Sequence, residues 1–396
     1  MSAINIRHYE SVRALDSDSW QTLINDTPFT RYAWLEAVER YCIEPPRIQL
    51  LLGYVGANVV GAMILETVSD RSRENGIART VLGGNSLRLG LAGGCFVPNL
   101  SSGAPYGYGG HLMFVPGVEP GLQLSVAASL IAEAEDLSKR VGAQLWFNGV
   151  LATDRLLLSY LAASSYLSAR YLPLAEMNVT WESFDDYLYW LRRRSRGAVK
   201  DIHRVRNRCR AAGITFEEPS DMAPLDSKLV DMANQSYRRH SEFAFPFRPG
   251  FFSSLQAGLH DSYMVCVAKR GADTLGFVTM LADGDTAWAD SYGLDSRRSD
   301  TAFVYFYLAY HWPIRAAIER GLRRIVFGRG QYELKLRRGC SLTDTYVLVK
   351  PSGRISRTFH AGLLHVVDRS YAKQVPTNRH TTPDPPPGTG NPHRMT

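Results

Sequence analysis

The sequence contains one arrangement of segments twice, and this internal repeat constrains the fold more than any other feature. In each half, two apolar runs flank a short turn. Gly56 and Asn58 form the turn in the first half, and Gly271 and Asp273 form it in the second. Apolar runs on both sides of a Gly/Asn or Gly/Asp turn predict a β-hairpin. The sequence therefore predicts one hairpin in each half.

Two further matches occur in the same order in both halves. A helix-period stretch ends at Gly142 before a predicted strand over residues 143–147, and a similar stretch ends at Gly321 before a predicted strand over residues 325–327. Glycine directly after a last helical turn is a typical C-terminal cap. Each half also opens on a Pro-Phe pair followed by an apolar pair, namely Pro28-Phe29 with Trp34-Leu35 and Pro246-Phe247 with Phe251-Phe252. Chance similarity of two ordinary α/β domains is the alternative to duplication.

We therefore expect an α/β (α+β) protein with two tandem domains, each a mixed, mostly antiparallel sheet flanked by helices. The chain has 396 residues with 45% hydrophobic content, enough to build two cores. The predicted parts are a first domain, a basic helical connector, a second domain and a disordered Pro-rich tail, over residues 1–180, 181–215, 216–372 and 373–396.

The connector carries most of the positive charge. Residues 192–210 contain nine Arg or Lys and one Asp, a local charge of +8 in a chain of +7. An apolar face predicts an amphipathic helix or helical pair, and cations at every fourth position form a ridge on its other side. A phosphate-bearing ligand would relieve the repulsion along this ridge; a solvated helix face is the alternative. The ridge consists of Arg192, Arg196, Lys200, Arg204 and Arg208.

A glycine-rich and charged segment, residues 327–339, directly follows a predicted strand of the second half. Lys335 lies between Leu334 and Leu336, so we expect it to be partly desolvated and suited to facing an oxyanion or a phosphate. Glu333 is a candidate base or a partner of Lys335. A basic turn with its own ion pairs is the alternative interpretation.

A second loop, Pro-Tyr-Gly-Tyr-Gly-Gly-His from Pro105, combines aromatic side chains with glycines in the first half. Its composition suits the wall of a pocket for a polar ligand, and Tyr106 and Tyr108 are its candidate contacts. An ordinary irregular loop has the same composition.

Several classes of protein are disfavoured. The five cysteines form no Cys-x-x-Cys pair and accompany no histidine cluster, so we predict free thiols and no metal site. No apolar stretch approaches the length that crosses a bilayer, and no export signal is readable. We expect a cytoplasmic protein without stable membrane insertion.

The order of these motifs resembles the Fem-type aminoacyltransferases, whose tandem domains have the fold of the Gcn5-related N-acetyltransferases (GNAT). The residues that carry the resemblance are Tyr187-Leu188 with the following Arg-rich segment, Tyr237-Arg238-Arg239-His240, Pro249-Gly250-Phe251-Phe252, residues 317–322, and above all residues 332–339 with Thr343, Thr345 and Tyr346. The resemblance spans most of residues 20–370 and is weaker in the first half.

The resemblance implies acyl transfer to an amine, with the donor held by the second domain and the acceptor between the domains. It implies that Lys335 stabilises the transition state and that the basic ridge holds tRNA. The candidate donor-binding residues are Arg297, Arg298, Arg329, Tyr332, Arg337 and Arg338. The candidate acceptor-binding residues are Tyr106, Tyr108 and Tyr292.

One departure affects the donor. Where GNAT relatives that use coenzyme A carry a glycine-rich pyrophosphate loop, residues 296–301 contain no glycine. This favours aminoacyl-tRNA as co-substrate over acyl-CoA, with no tightly bound cofactor. The alternatives are an acyl-CoA-dependent N-acyltransferase of polysaccharide or specialised metabolism, in which Arg297 and Arg298 grip phosphate, and a non-catalytic module that binds tRNA or another anion.

Overall fold

The computed structural model describes residues 3–23, 27–68, 98–240, 244–297, 302–351 and 353–376. Within these ranges the strands are β1 (Ile4–Tyr9), β2 (Arg47–Val55), β3 (Asn58–Val68), β4 (Asn99–Ser102), β5 (Met113–Phe114), β6 (Gln144–Leu151), β7 (Leu167–Asn178), β8 (Thr215–Glu217), β9 (Tyr263–Arg270), β10 (Asp273–Asp283), β11 (Thr286–Leu294), β12 (Arg324–Gly328) and β13 (Ser341–Val349).

The α-helices described are α1 (Ser17–Gln21), α2 (Tyr32–Tyr41), α3 (Pro120–Arg140), α4 (Arg155–Ala163), α5 (Phe184–Arg194), α6 (Arg196–Ala211), α7 (Asp226–His240), α8 (Phe251–Leu259), α9 (Ala302–Phe306), α10 (Trp312–Glu319), α11 (Tyr332–Leu336) and α12 (Arg354–Gln374). A π-helical turn, Tyr307–His311, separates α9 from α10. Pro313 lies in the first turn of α10, where its missing N–H costs no hydrogen bond of that helix.

The strands form one sheet in the order β1-β2-β3-β4-β6-β13-β7-β12-β11-β10-β9-β8, with β5 beside β3. Its pairs are antiparallel except β4 with β6 and β11 with β12, which are parallel. The two parallel pairs occupy equivalent places in the two halves. The predicted mixed, mostly antiparallel sheet with flanking helices is therefore confirmed, and both predicted hairpins are present as β2-β3 and β9-β10.

The two halves exchange their last strands. Strand β7 belongs to the first half of the sequence but pairs with β12, and β13 belongs to the second half but pairs with β6. The exchanged strands also pair with each other along their length. The sheet is thus continuous across the predicted domain boundaries, which stay a prediction. Of the predicted tail, residues 373–374 end α12, and residues 377–396 lie outside the described ranges.

The two Pro-Phe segments meet at the centre of the molecule. Phe247 stacks on Phe251 with ring centroids 3.7 Å apart, and Trp34 packs edge-on against Phe251 at 5.7 Å. The backbone N–H of Ile43 donates to the carbonyl oxygen of Pro246 at 2.8 Å. Helices α2 and α8 therefore contribute to one core shared by both halves.

The connector is a pair of helices. Helix α5 ends at Arg194 and α6 begins at Arg196, with the Ser195 hydroxyl accepting the Ala198 N–H at 3.3 Å as an N-cap. The predicted apolar face is buried, and it comprises Val199, Ile202, Val205 and Cys209. The cations on the other side of α6 face solvent.

No helix within the described ranges combines the length and the apolar composition that a membrane span requires.

Candidate active site

A cleft of about 740 Å³ opens where the two halves meet. Strands β11 and β12 pair only from Thr286 to Trp288, so the following residues of β11 diverge and turn toward the cleft. In the first half, β6 extends past its pairing with β4 and brings Asn148 and Gly149 to the cleft. Helix α12 forms part of the wall through Tyr371. The cavity thus lies where the strands of both parallel pairs diverge.

Aromatic side chains form much of this wall. Tyr106, Tyr108 and Tyr292, the three predicted acceptor contacts, all line the cleft. Tyr108 stacks on Trp288 with ring centroids 5.9 Å apart, and burial raises the pKa of its hydroxyl. Burial also raises the pKa of Tyr292 to about 12. These hydroxyls therefore stay protonated at neutral pH and can donate hydrogen bonds to a ligand.

Arg329 is the cation of the described cleft wall. Its Nε donates to the carbonyl oxygen of Leu172 at 3.1 Å, and its guanidinium lies 4.7 Å from the ring centroid of Tyr171 and 5.2 Å from that of Tyr108. A Cβ on Gly149 would lie 2.5 Å from a guanidinium nitrogen, so any other residue there would displace the guanidinium from this position. Leu172 and Tyr171 belong to the exchanged strand β7. The strand exchange therefore holds this guanidinium in place.

Lys335 lies behind the cleft wall. It is 5% exposed, as its apolar neighbours predict, and burial lowers the pKa of its ammonium to about 8. Its Nζ donates to the carbonyl oxygens of Phe327, Gly328 and Arg329 at 2.8, 3.1 and 3.0 Å. All three ammonium protons therefore have backbone partners. The lysine fixes the segment that carries Arg329, and it is absent from the residues that line the cleft.

Asp290 is a candidate functional residue that sequence reasoning missed. It lies on the divergent end of β11 and lines the cleft. Its Oδ2 accepts hydrogen bonds from the hydroxyls of Ser291 at 3.1 Å and Thr279 at 3.2 Å. Burial raises the pKa of its carboxyl to about 6, although both hydrogen bonds oppose the increase. A carboxylate that titrates near neutrality inside an aromatic cleft is suited to proton transfer.

The signal for Asp290 in the sequence is faint. Asp290 and Ser291 interrupt a strand whose first residues are buried and apolar, and Tyr292 follows directly. A polar pair within such a strand is compatible with a site, but also with an exposed strand end.

Three other candidate residues of the 327–339 segment lie away from the cleft wall. Glu333 is exposed in the first turn of α11. Tyr332 donates its hydroxyl proton to the carbonyl oxygen of Pro173 at 3.0 Å. Arg337 is exposed and lies 3.9 Å from a carboxylate oxygen of Asp201. The sequence neighbours of Lys335 thus contact different parts of the protein, because successive side chains of a helix point in different directions.

Two further predicted donor contacts are also engaged elsewhere. Arg338 is buried, lies 4.3 Å from the ring centroid of Tyr310 and donates to the carbonyl oxygen of Leu334 at 2.9 Å. Arg297 is largely exposed, and its Nε lies 2.8 Å from a carboxylate oxygen of Asp295. Arg298 lies outside the described residues. Neither Arg297 nor Arg338 lines the cleft.

All five residues of the basic ridge are exposed. Arg192 lies on α5, and the other four lie along α6, where Lys200, Arg204 and Arg208 border a shallow groove with His203 and Asn207. Arg204 also lies 3.1 Å from a carboxylate oxygen of Asp201. The ridge is accessible to a large anionic ligand and does not border the cleft.

The sequence model of one protein family, described as FemAB-like and peptidoglycan biosynthesis/recognition, matches residues 92–361. The search of curated proteins gave no significant match.

Solved structures resemble most of the chain. The crystal structure of FemX is 10% identical with a TM-score of 0.54, covering 91% of this chain and 100% of that one. The C-terminal domain of a putative lysylphosphatidylglycerol synthetase from Agrobacterium fabrum is 11% identical with a TM-score of 0.50, covering 79% and 85%. L-PGS from Bacillus licheniformis is 10% identical with a TM-score of 0.50, covering 78% and 85%. At these identities the comparison establishes a shared fold.

Proposed function

Because the chain belongs to the FemAB-like family and is an acyltransferase, we propose that it transfers an aminoacyl group from aminoacyl-tRNA to the amine of a small molecule or cell-wall precursor. The family confirms the resemblance found in the sequence. One observation carries the proposal: an aromatic cleft between the two halves holds a carboxylate with a pKa near neutrality, Asp290, and a fixed guanidinium, Arg329.

In the proposed reaction the acceptor ammonium first releases one proton to solvent, and the resulting free amine attacks the ester carbonyl of the aminoacyl-tRNA. The C–N bond forms, the carbonyl π electrons move to its oxygen, and Asp290 accepts the proton that the nitrogen loses. When the tetrahedral intermediate collapses, the C–O bond to the ribose breaks, and the ribose oxygen takes that proton from Asp290. Because Glu333 is exposed outside the cleft, we assign proton transfer to Asp290.

The oxyanion of this intermediate needs a fixed positive partner. Arg329 is suited to this role because a backbone carbonyl and two tyrosine rings restrict its guanidinium before substrate arrives. We propose that Lys335 acts on catalysis through its three carbonyl partners, as a positioning residue for Arg329.

The tyrosines of the cleft suit an amine acceptor. The rings and hydroxyls of Tyr106, Tyr108 and Tyr292 can contact an ammonium and its polar substituents. Of the charged side chains in the described cleft wall, Glu66 and Asp290 are acidic, and Arg329 is basic. This balance favours an acceptor that enters with a positive charge.

The basic ridge suits the donor. Four of its cations face solvent along one side of α6, and a tRNA backbone would lower their mutual repulsion. An acyl-CoA donor is the second candidate. It would need phosphate contacts near Arg297, whose guanidinium already pairs with Asp295.

Binding of purified protein to bulk deacylated tRNA and to coenzyme A, each at low and moderate salt, tests the donor. We expect salt-sensitive tRNA binding. Changing Lys200, Arg204 and Arg208 together to Glu should remove that binding. Even neutral replacements should reduce the steepness of log binding constant against log salt concentration by about two to three. The same change at the exposed residues Arg13, Arg47 and Arg155 is the control. Tight CoA binding with indifference to tRNA would overturn the proposed donor.

Transfer of labelled amino acids from a charged tRNA pool to amine acceptors tests the reaction. Asp290→Asn should lower kcat by about 10²–10⁴ while leaving tRNA binding unchanged. For the unaltered protein, kcat/KM should fall as pH drops through about 6, because the carboxyl becomes protonated. No transfer to any acceptor, with intact tRNA binding, would favour the non-catalytic binding module.

A further inference from the structure

Helix α12 presents an apolar stripe to solvent. Seven large apolar side chains are exposed within the described residues, and three of them lie on this helix: Ile355 is 89% exposed, Phe359 50% and Val366 43%. Their spacing of four and seven residues places them in one line on the helix surface, about 17 Å long. The buried residues of α12 lie on the opposite side and include Leu364, Val367 and Tyr371. Among the described residues, packing onto the sheet therefore leaves this stripe uncovered.

Cations accompany the stripe. Helix α12 carries Arg354, Arg357, Arg369 and Lys373 against one acidic residue, Asp368, whose carboxylate lies 3.1 Å from the Nε of Arg170. The four helix cations are exposed. Lys373 continues the line of the stripe, and Arg369 lies beside it. An apolar stripe with cations along its flank and at its end is the pattern of a helix that lies in a membrane interface.

We infer that α12 is a docking helix for an anionic lipid surface, with Ile355, Phe359 and Val366 entering the interface and with Arg369 and Lys373 contacting lipid phosphates. Charge complementarity selects this occupant. A second copy of the chain is disfavoured because two such helices would bring their cations together. A stripe of three side chains is also far smaller than the roughly 800 Å² that each partner buries in a stable dimer.

The position of the helix relates this surface to the cleft. Val367, Ser370 and Tyr371 line the cleft from the same helix. Ser370 lies about 40° around the helix axis from Val366, so the stripe is adjacent to the cleft wall. A lipid surface seated on the stripe would therefore lie beside the cleft. The inference does not depend on the proposed reaction, because its test measures binding alone.

The test is co-sedimentation of the full chain with vesicles of phosphatidylglycerol mixed into phosphatidylcholine, and with phosphatidylcholine vesicles alone. We expect binding at least tenfold tighter to the mixed vesicles and weaker as salt rises. Changing Ile355, Phe359 and Val366 together to Ser should reduce binding at least tenfold. Arg369→Gln and Lys373→Gln should each reduce binding about fivefold, on the mixed vesicles only.

The matched control changes three other exposed apolar residues, Ile43, Leu124 and Val141, to Ser. It should bind within about twofold of the unaltered protein. Equal binding to both vesicle types, or equal loss in both triple variants, overturns the inference. So does a dimer in sedimentation velocity that the α12 variant abolishes while vesicles bind nothing. The salt and lipid dependence of the unaltered protein test the inference independently, even if a variant fails to fold.

Discussion

Asp290→Asn should make the protein more stable at neutral pH while removing its activity. Burial in the cleft wall raises the pKa of the Asp290 carboxyl from the ordinary 3.8 to about 6. The folded state therefore binds this proton more tightly than the unfolded state does, and ionisation at higher pH opposes folding. Asparagine retains an oxygen that can accept the Ser291 and Thr279 hydrogen bonds, and it carries no charge to desolvate.

The size and the pH range of the effect follow from the two pKa values. A carboxyl pKa of about 6 in place of 3.8 corresponds to about 3 kcal/mol, since each pKa unit equals 1.36 kcal/mol. The penalty is absent below pH 3.8, grows as pH rises from 3.8 to 6, and is complete above pH 6. The variant and the unaltered protein should therefore have similar free energies of unfolding near pH 4. They should differ by up to about 3 kcal/mol at pH 7.

Equilibrium urea unfolding of both proteins at several pH values between about 4 and 8 measures this difference without any substrate. Asp261→Asn is the control, because its side chain is exposed at the turn before β9. A difference that stays constant across the pH range, or a variant less stable at pH 7, would refute the assignment of Asp290 as a desolvated carboxylate. Thermal midpoints should move in the same direction by a few degrees.

Two further substitutions test how the guanidinium is held. Lys335→Met leaves three buried carbonyl oxygens without their donor and should cost about 3 kcal/mol in the free energy of unfolding as well as turnover, whereas Arg337→Met on the same helix should cost little. Lost turnover with unchanged urea stability would instead indicate that Lys335 takes part in the chemistry directly. Gly149→Ala should lower kcat/KM more than Gly142→Ala, because both glycines have positive φ but only Gly149 lies against Arg329. Equal losses in the two glycine variants would mean that backbone strain alone is responsible.

Much of the fold could be predicted from local sequence patterns. Hairpins and helices depend on turn residues and on hydrophobic period, which operate within a few residues. The paired hairpins and the basic connector could therefore be predicted. The three tyrosines predicted to contact the acceptor all line the cleft, and their contact with an acceptor stays a prediction.

The hydrogen-bond and ionic partners of charged residues were harder to predict from the sequence. The apolar neighbours of Lys335 predict its burial, and burial is observed. A buried ammonium attracts any nearby oxygen, however, and the oxygens supplied here are backbone carbonyls of its own segment. The expected contact with an oxyanion therefore stays a prediction, and the observed contacts support the positioning role that we propose for the lysine.

The sequence by itself determined the duplicated α/β unit, the charged helical pair and the aromatic content of the cleft, since each depends on residues close together in the chain. Only the tertiary structure decided the exchange of β7 and β13, because strand pairing over such separations follows from the global packing of the sheet. That exchange brings Leu172 to Arg329. The pKa of Asp290 likewise depends on side chains from distant parts of the chain that remove its water, and no local pattern encodes that burial.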